Sequence, residues 1–207
     1  MSVLLMLMVL FSVGVSAHCV WPESPVRVDA SQVFWIDVFY AHPDDPMENR
    51  DMTDLTLYVY FPDGQVVELS LEKMATYQQG NTSFTEAGEY VFVAERSPNR
   101  YRLQEIRDFG KSITWVGQQM DYTRGPVGLP LEVIPLGRND VDQGNIELLV
   151  EVRYNGEAVR GAKSNCSDLF LWGAGSLRKS TKLYWMTMVG QLLFWIRATV
   201  MYWRRIT

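Results

Sequence analysis

The stretch IELLVEVRYNG, residues 146–156, limits the fold of this chain more than any other feature. Its first nine residues are mostly aliphatic, and such a run is typical of a long β-strand. Asn155-Gly156 follows at once. This dipeptide is the strongest short-range signal of a β-hairpin, because both residues tolerate positive φ. The stretch therefore predicts antiparallel pairing late in the folded part of the chain.

Further short strands are predicted at a similar spacing. The segments 32–40, 55–61, 65–71, 83–94 and 109–117 are rich in β-branched and aromatic residues, and Pro62-Asp63-Gly64 forms a turn signal between the second and the third. Helical periodicity is almost absent from this part of the sequence. We therefore expect an all-β fold, an immunoglobulin-like β-sandwich spanning residues 18–163.

The N-terminus resembles an export signal. Residues 1–17 are apolar and end on Val15-Ser16-Ala17, a small-x-small cleavage pattern. Basic side chains are missing before the apolar run, so an uncleaved N-terminal membrane anchor is the alternative. We expect cleavage after Ala17, which places the mature protein in the periplasm or outside the cell and makes His18 its first residue.

The charge of the chain is unevenly distributed. Residues 18–163 carry 13 basic and 23 acidic side chains, a net charge of −10, whereas residues 164–207 have a net charge of +5. An acidic body disfavours nucleic acid as a partner, because affinity for duplexes comes mainly from Lys and Arg at phosphates. It is compatible with the attraction of metal cations.

Motifs of common enzymes are missing. There is no CxxC, HExxH, phosphate-binding loop or GxSxG element, and the two cysteines, Cys19 and Cys166, do not make a disulfide framework. With only two histidines, a zinc site rich in histidine is excluded. We therefore expect a binding protein rather than an enzyme.

Residues 164–207 form an atypical apolar tail with three interpretations. Residues 183–203 contain one charged side chain, Arg197, and have about the length of a membrane span. Arg204-Arg205 behind this stretch suits the cytoplasmic side of a membrane anchor. The tail can instead be a buried or amphipathic helix, or the product of a shifted reading frame.

The reading-frame hypothesis rests on the codons that residues 185–190, WMTMVG, require. Read from the third base, these codons give Asp-Asp-x-Gly, which is an ordinary acidic turn of a secreted domain. We therefore expect a frameshift near Lys163. Resequencing tests this expectation, which an unbroken frame with the same tail in close relatives would contradict.

Several segments in order resemble one family. They are SAHCVWPESP, VFYAHPDDP, YFPDGQVVEL, FTEAGEYVFVAE, FGKSITWVG, GLPLEVIPL and QGNIELLVEVRYNGEAVRGAK, covering about residues 18–163. The set is similar to NikK-like secreted β-sandwich proteins, a family of formerly unknown function that accompanies nickel and cobalt uptake systems. The resemblance stops at Lys163, before the turn and the final strand that the family pattern would place next.

The resemblance implies a metal site. The family pattern has a histidine at the mature N-terminus and another after the first long strand, which correspond here to His18 and His42. Ala41 replaces the glycine that usually precedes the second histidine. The implied function is capture of nickel(II), or of cobalt(II), for a membrane component of an uptake system.

The chemistry of these residues agrees with that implication. An N-terminal His18 would offer both its imidazole and an α-amine, whose reference pKa of about 7.7–8.0 makes deprotonation easy. Imidazole is a favoured ligand of nickel, copper and zinc. Asp44, Asp45 and Glu48 follow His42 closely and can supply oxygen ligands or orient an imidazole.

Two other functions stay open. An N-terminal histidine with a second histidine also resembles the copper brace of oxidative enzymes, which would make the chain a copper-binding redox protein. The abundance of aromatic residues is also compatible with a structural or carbohydrate-binding surface sandwich.

Overall fold

Short extended segments with alternating apolar residues dominate the computed structural model, which describes residues 19–41, 47–101, 104–117, 125–141, 145–159, 185–188 and 191–194. These residues form sixteen β-strands and contain no helix. The strands are β1 (Cys19–Glu23), β2 (Arg27–Val28), β3 (Phe34–Ala41), β4 (Leu55–Tyr60), β5 (Val66–Leu69), β6 (Glu72–Lys73), β7 (Gln78–Thr82), β8 (Gly88–Arg96), β9 (Asn99–Tyr101), β10 (Gln104–Ile106), β11 (Phe109–Val116), β12 (Leu131–Val141), β13 (Asn145–Tyr154), β14 (Glu157–Ala158), β15 (Trp185–Met188) and β16 (Gln191–Phe194).

The two turns predicted from the sequence both close hairpins. Asn155 and Gly156 have φ of 49° and 83°, and they join β13 to β14. Gly64 has φ of 91°, and its N–H donates to the carbonyl of Phe61 at 2.9 Å in the turn between β4 and β5. Positive φ at these positions is what asparagine and glycine tolerate.

The strands are arranged in three larger sheets and one small hairpin. Sheet 1 has the order β1-β3-β7-β6, and sheet 2 has the order β15-β16-β11-β8-β4-β5 with β2 also paired to β11. Sheet 3 is β12-β13-β14, and β9 pairs with β10. All pairs are antiparallel except β2 with β11. The predicted all-β sandwich is confirmed.

Both faces of sheet 2 are buried, so this sheet lies between the other two. Alternate residues of β8 belong to two different cores: Phe92 lies in the first, and Val91 and Val93 lie in the second. Successive side chains of a strand point to opposite faces. The first core joins sheets 1 and 2 through Phe34, Ile36, Val38, Leu57, Val59, Phe84, Tyr90 and Phe92, among others.

The second core joins sheet 2 to sheet 3. Trp115 and Ile113 of β11 pack there with Val133 of β12. A buried ion pair crosses the same boundary, with Lys111 Nζ 2.8 Å from Glu132 Oε1 and both side chains at most 3% exposed. The Glu132 carboxylate also accepts the backbone N–H groups of Val127 at 2.9 Å and Gly128 at 3.1 Å. A buried carboxylate is stable only when its oxygens have partners, and these contacts supply them. They also fix the start of β12 on sheet 2.

β1 is the edge strand of sheet 1 and crosses very close to β11 of sheet 2. A Cβ atom on Gly110 would lie 2.3 Å from the carbonyl oxygen of Val20, so only glycine fits there. A buried hydroxyl network continues this contact: Ser24 and Ser112 lie 2.9 Å apart, and Thr114 donates to Ser24 or to the carbonyl of Pro25. The two sheets are therefore held together at this side.

The tail is described only in part. Residues 185–188 and 191–194 form the hairpin β15–β16, and β16 pairs with β11 at Lys111 and Ser112. Within the described ranges, no helix is long and apolar enough to cross a membrane. The expected signal segment, residues 1–17, and most of the expected anchor, residues 183–203, lie outside the described residues, as does Lys163.

Candidate metal-binding end of the sandwich

The first strand and the end of the third meet at one end of the sandwich. β1 pairs with β3 from Glu23↔Asp37 to Cys19↔Ala41. At the same end β4 begins and β8 ends, where Leu55 is paired with Arg96. We call this region the Cys19–Ala41 end.

A polar cluster closes the sandwich near this end. The guanidinium carbon of Arg96 lies 3.9 Å from the centre of the Tyr40 ring, a cation–π contact. Its Nε donates to both oxygens of Asp54 at 3.0 Å, and its Nη2 lies 2.8 Å from Asp54 Oδ2. The Arg96 backbone N–H also donates to the carbonyl of Asp108 at 3.0 Å. The cluster thereby ties β3, β4 and β8 together beside the last residue pair of β1 and β3.

Burial and charge change the acidity of this cluster. Burial raises the pKa of Tyr40, while nearby Arg96 opposes the rise, so the phenol stays protonated at neutral pH. Burial is the largest single influence on Arg96 and lowers its pKa. The hydrogen bond to Asp54 and the charges of Tyr40, Asp54 and Asp108 together outweigh burial, so the pKa of the guanidinium is raised. Arg96 therefore remains a cation that Asp54 neutralises.

The loop before β4 adds further acidic groups. Glu48 is exposed and pairs with Arg50 at 2.9 Å. Asp51 accepts hydrogen bonds from the backbone N–H and the hydroxyl of Thr53, and these lower the pKa of its carboxyl. The loop thus carries an ionised carboxylate at Asp51 and an ion pair between Glu48 and Arg50.

Of the five predicted metal ligands, one lies among the described residues. Glu48 lies in the loop just described, where its carboxylate is held by Arg50. His18, His42, Asp44 and Asp45 lie outside the described residues. Among the residues that are described, no group of three or more His, Cys, Asp or Glu is arranged to hold a metal ion.

Reasoning from the sequence did not find the Tyr40, Arg96 and Asp54 cluster. Asp54 and Arg96 are 42 residues apart, and they meet only because β4 and β8 are neighbours in sheet 2. No residue spacing or sequence motif predicts such a contact. An arginine at the end of an apolar strand, as in VFVAER, is the one local hint in the sequence.

Comparisons with known proteins add no relative. No protein-family model matches the sequence, and no curated protein is significantly similar to it.

Proposed function

We propose that this protein is an exported binding module that captures nickel(II), or cobalt(II), for a membrane uptake system. It acts by reversible coordination through His18 and His42 and not by turnover. In this proposal the mature chain begins at His18, in the periplasm or outside the cell. The resemblance to NikK-like proteins supports the choice of metal and of partner, and the immunoglobulin-like topology is part of the same proposal.

One observation carries the proposal, namely the register of β1 and β3. Their pairing ends at Cys19↔Ala41. His18 directly precedes Cys19 in the sequence, and His42 directly follows Ala41. Paired Cα atoms lie about 4.5–5.5 Å apart and consecutive Cα atoms about 3.8 Å apart, so a chain that runs on by one residue from each side of this pair would keep the two histidine Cα atoms within about 13 Å. One further step of the same register would make His18 and His42 direct neighbours across the ladder. Two residues 24 positions apart in the sequence would then share one ion.

The chemistry of the two histidines suits a late first-row divalent metal. The α-amine and the imidazole of His18 would close a chelate ring, and His42 would add a third nitrogen ligand. Nitrogen donors of this kind favour nickel, copper and zinc over calcium or magnesium. The carboxylate of Asp51, whose pKa is lowered by its hydrogen bonds from Thr53, favours the approach of a cation. Asp44, Asp45 and Glu48 complete the proposed set as oxygen ligands or as acceptors that orient the imidazoles.

The test is a calorimetric titration of the secreted full chain with nickel(II), after mass spectrometry confirms that it begins at His18. We expect one ion per chain. An extra Met before His18 removes the chelating α-amine, and His42→Ala removes one imidazole. Each change should weaken binding about tenfold or more, which is about 1.4 kcal/mol. Asn49→Ala, in the loop that follows His42, is the control and should bind like the wild type.

Two outcomes would refute this site. Equal affinity of the wild type, the Met-extended chain and His42→Ala would show that the histidines do not hold the ion. A melting temperature that nickel, cobalt and copper all leave unchanged would refute metal capture altogether, since a ligand bound to the native state must stabilise it. Copper-dependent production of hydrogen peroxide with a reductant would instead favour the copper redox alternative.

A further inference from the structure

The outer face of sheet 1 combines exposed rings with fixed polar groups. Phe34, Ile36 and Val38 of β3 are buried in the first core, so the residues between them point to the other side of the sheet. The register pairs β3 with β7 across this side. We call this side the outer face, and it carries Trp35, Asp37, Phe39, Tyr77, Gln79 and Asn81.

Trp35 is the most exposed ring of this face. Its side chain is 54% exposed in the middle of the sheet, whereas Trp21 and Trp115 are 2% and 1% exposed. Asn81 stands opposite it on β7 and is also exposed. A flat indole open to solvent, with an amide beside it, forms a platform on which another apolar surface can stack.

A polar row lies two residues further along the strand, about 7 Å from the Trp35 row. Gln79 Nε2 donates to Asp37 Oδ1 at 2.7 Å, which fixes both side chains in place. Glu23 stands opposite Asp37 on β1, and its Oε1 accepts the indole N–H of Trp21 at 2.8 Å. Carboxylate and amide groups in fixed positions can hydrogen-bond neighbouring hydroxyl groups of one ligand.

A second pair of rings lies beyond the polar row. Phe39 and Tyr77 are half-buried, and their ring centres are 5.4 Å apart. On its other side Phe39 stacks on the buried Trp21 of β1 at 5.2 Å, so its ring lies between two others. Phe39 lies four positions after Trp35, which is about 13 Å along the strand. The open ring of the outer face is therefore Trp35, and the hydrogen-bonding groups lie between it and this packed row of rings.

We propose that the outer face binds a glycan chain of neutral or amino sugars. The apolar face of a sugar ring stacks on Trp35, and the hydroxyl groups of the chain bond to Asn81 beside it and to Asp37 and Gln79 in the next row. The charge of the face selects against other ligands that stack on rings. Three carboxylates, Glu23, Asp37 and Glu72, lie in one row across the sheet, and they repel the phosphates of nucleic acids and the carboxylates of anionic glycans. This activity does not depend on the proposed metal site.

The test is a titration of the full chain with three soluble probes: a β-1,4-glucose oligosaccharide, a chitosan oligosaccharide and an oligogalacturonate. We expect the first or the second to bind and the third not to. Trp35→Ala should weaken binding about tenfold or more, while Trp35→Tyr should retain most of the affinity because a ring remains. Addition of EDTA should leave the affinity unchanged, which separates this site from metal capture.

Tyr154→Ala is the matched control, since Tyr154 is an exposed aromatic residue of β13 in sheet 3. Circular dichroism and melting of each variant confirm that it is folded. The proposal is overturned if neither the neutral nor the amino-sugar probe binds, or if folded Trp35→Ala binds like the wild type. Tightest binding of the anionic probe, or of a single-stranded oligonucleotide, would also overturn it, because the acidic row would then not select the ligand.

Discussion

Replacing Gly110 with alanine probes the contact that positions β1. The new Cβ would lie 2.3 Å from the carbonyl oxygen of Val20 and 2.8 Å from the Cα of Trp21, both backbone atoms that no rotamer change can move. Comfortable contacts between carbon atoms are about 3.5–4.0 Å long, so β1 has to retreat from β11 by about 1 Å. This retreat also stretches the 2.9 Å contact between the hydroxyls of Ser24 and Ser112.

The size of the effect follows from these two losses. Overpacking of a buried contact costs about 1–3 kcal/mol, and a lost buried hydrogen bond adds about 1 kcal/mol. We therefore expect Gly110→Ala to destabilise the protein by about 3 kcal/mol. For a chain of this size such a loss lowers the melting temperature by roughly 6–12 °C. Because β1 leads back to His18, we also expect weaker binding of nickel(II).

Thermal unfolding followed by circular dichroism measures the loss, and Gly137→Ala is the control. No heavy atom lies within 4 Å of a Cβ built on Gly137, so this variant should melt at the wild-type temperature or slightly above it. If Gly110→Ala melts like Gly137→Ala, the close crossing of β1 over β11 does not exist in solution. The account of how the first strand is positioned would then be wrong.

Two further predictions concern buried charges. Lys111→Met leaves the carboxylate of Glu132 buried without its cation and should cost about 3–5 kcal/mol in urea unfolding. Lys111→Met with Glu132→Leu should recover only part of this loss, because the backbone N–H groups of Val127 and Gly128 lose their acceptor. Equal losses in the single and the double variant would contradict this. Burial raises the pKa of Glu23, a hydrogen bond from Trp21 opposes the rise, and Asp37 adds to it, so the folded chain holds this proton more tightly than the unfolded chain does. Stability due to Glu23 therefore falls as pH rises from the ordinary value of 4.5 through the raised pKa. Glu23→Gln should accordingly raise the melting temperature near neutral pH and lose this advantage near pH 4.5, and a constant difference between the two pH values would show that Glu23 does not titrate in this way.

Much of the strand content could be predicted because it depends on local chemistry. The strands β3, β4, β5, β8, β11 and β13 fall within or across the segments predicted from β-branched and aromatic residues. The turn at Asn155-Gly156 was predictable because few residues tolerate positive φ. In contrast, β7 reads QQGNT, whose polar residues carry no strand signal, and it is a strand because β3 lies beside it.

The candidate site divides in the same way. The histidines and the acidic residues after His42 were proposed from their chemistry and from the family resemblance, and that proposal stays a prediction. The Arg96–Asp54 pair at the same end could not be predicted from the sequence, because Arg96 ends β8 and Asp54 precedes β4. The pairing of Cys19 with Ala41, on which the proposed proximity of the two histidines rests, is likewise a property of the sheet.

The sequence by itself determined that the chain is all β, where its tight turns lie, and how acidic its body is, because these follow from side-chain shape, backbone freedom and charge. Only the tertiary structure decided that sheet 2 is covered on both faces. The apolar alternation of β11 is interrupted by three buried polar residues, Lys111, Ser112 and Thr114. Glu132 of β12 pairs with Lys111, and Ser24, which follows β1, pairs with Ser112 and Thr114. A polar group can be buried only where a partner satisfies it, and the fold alone brings that partner.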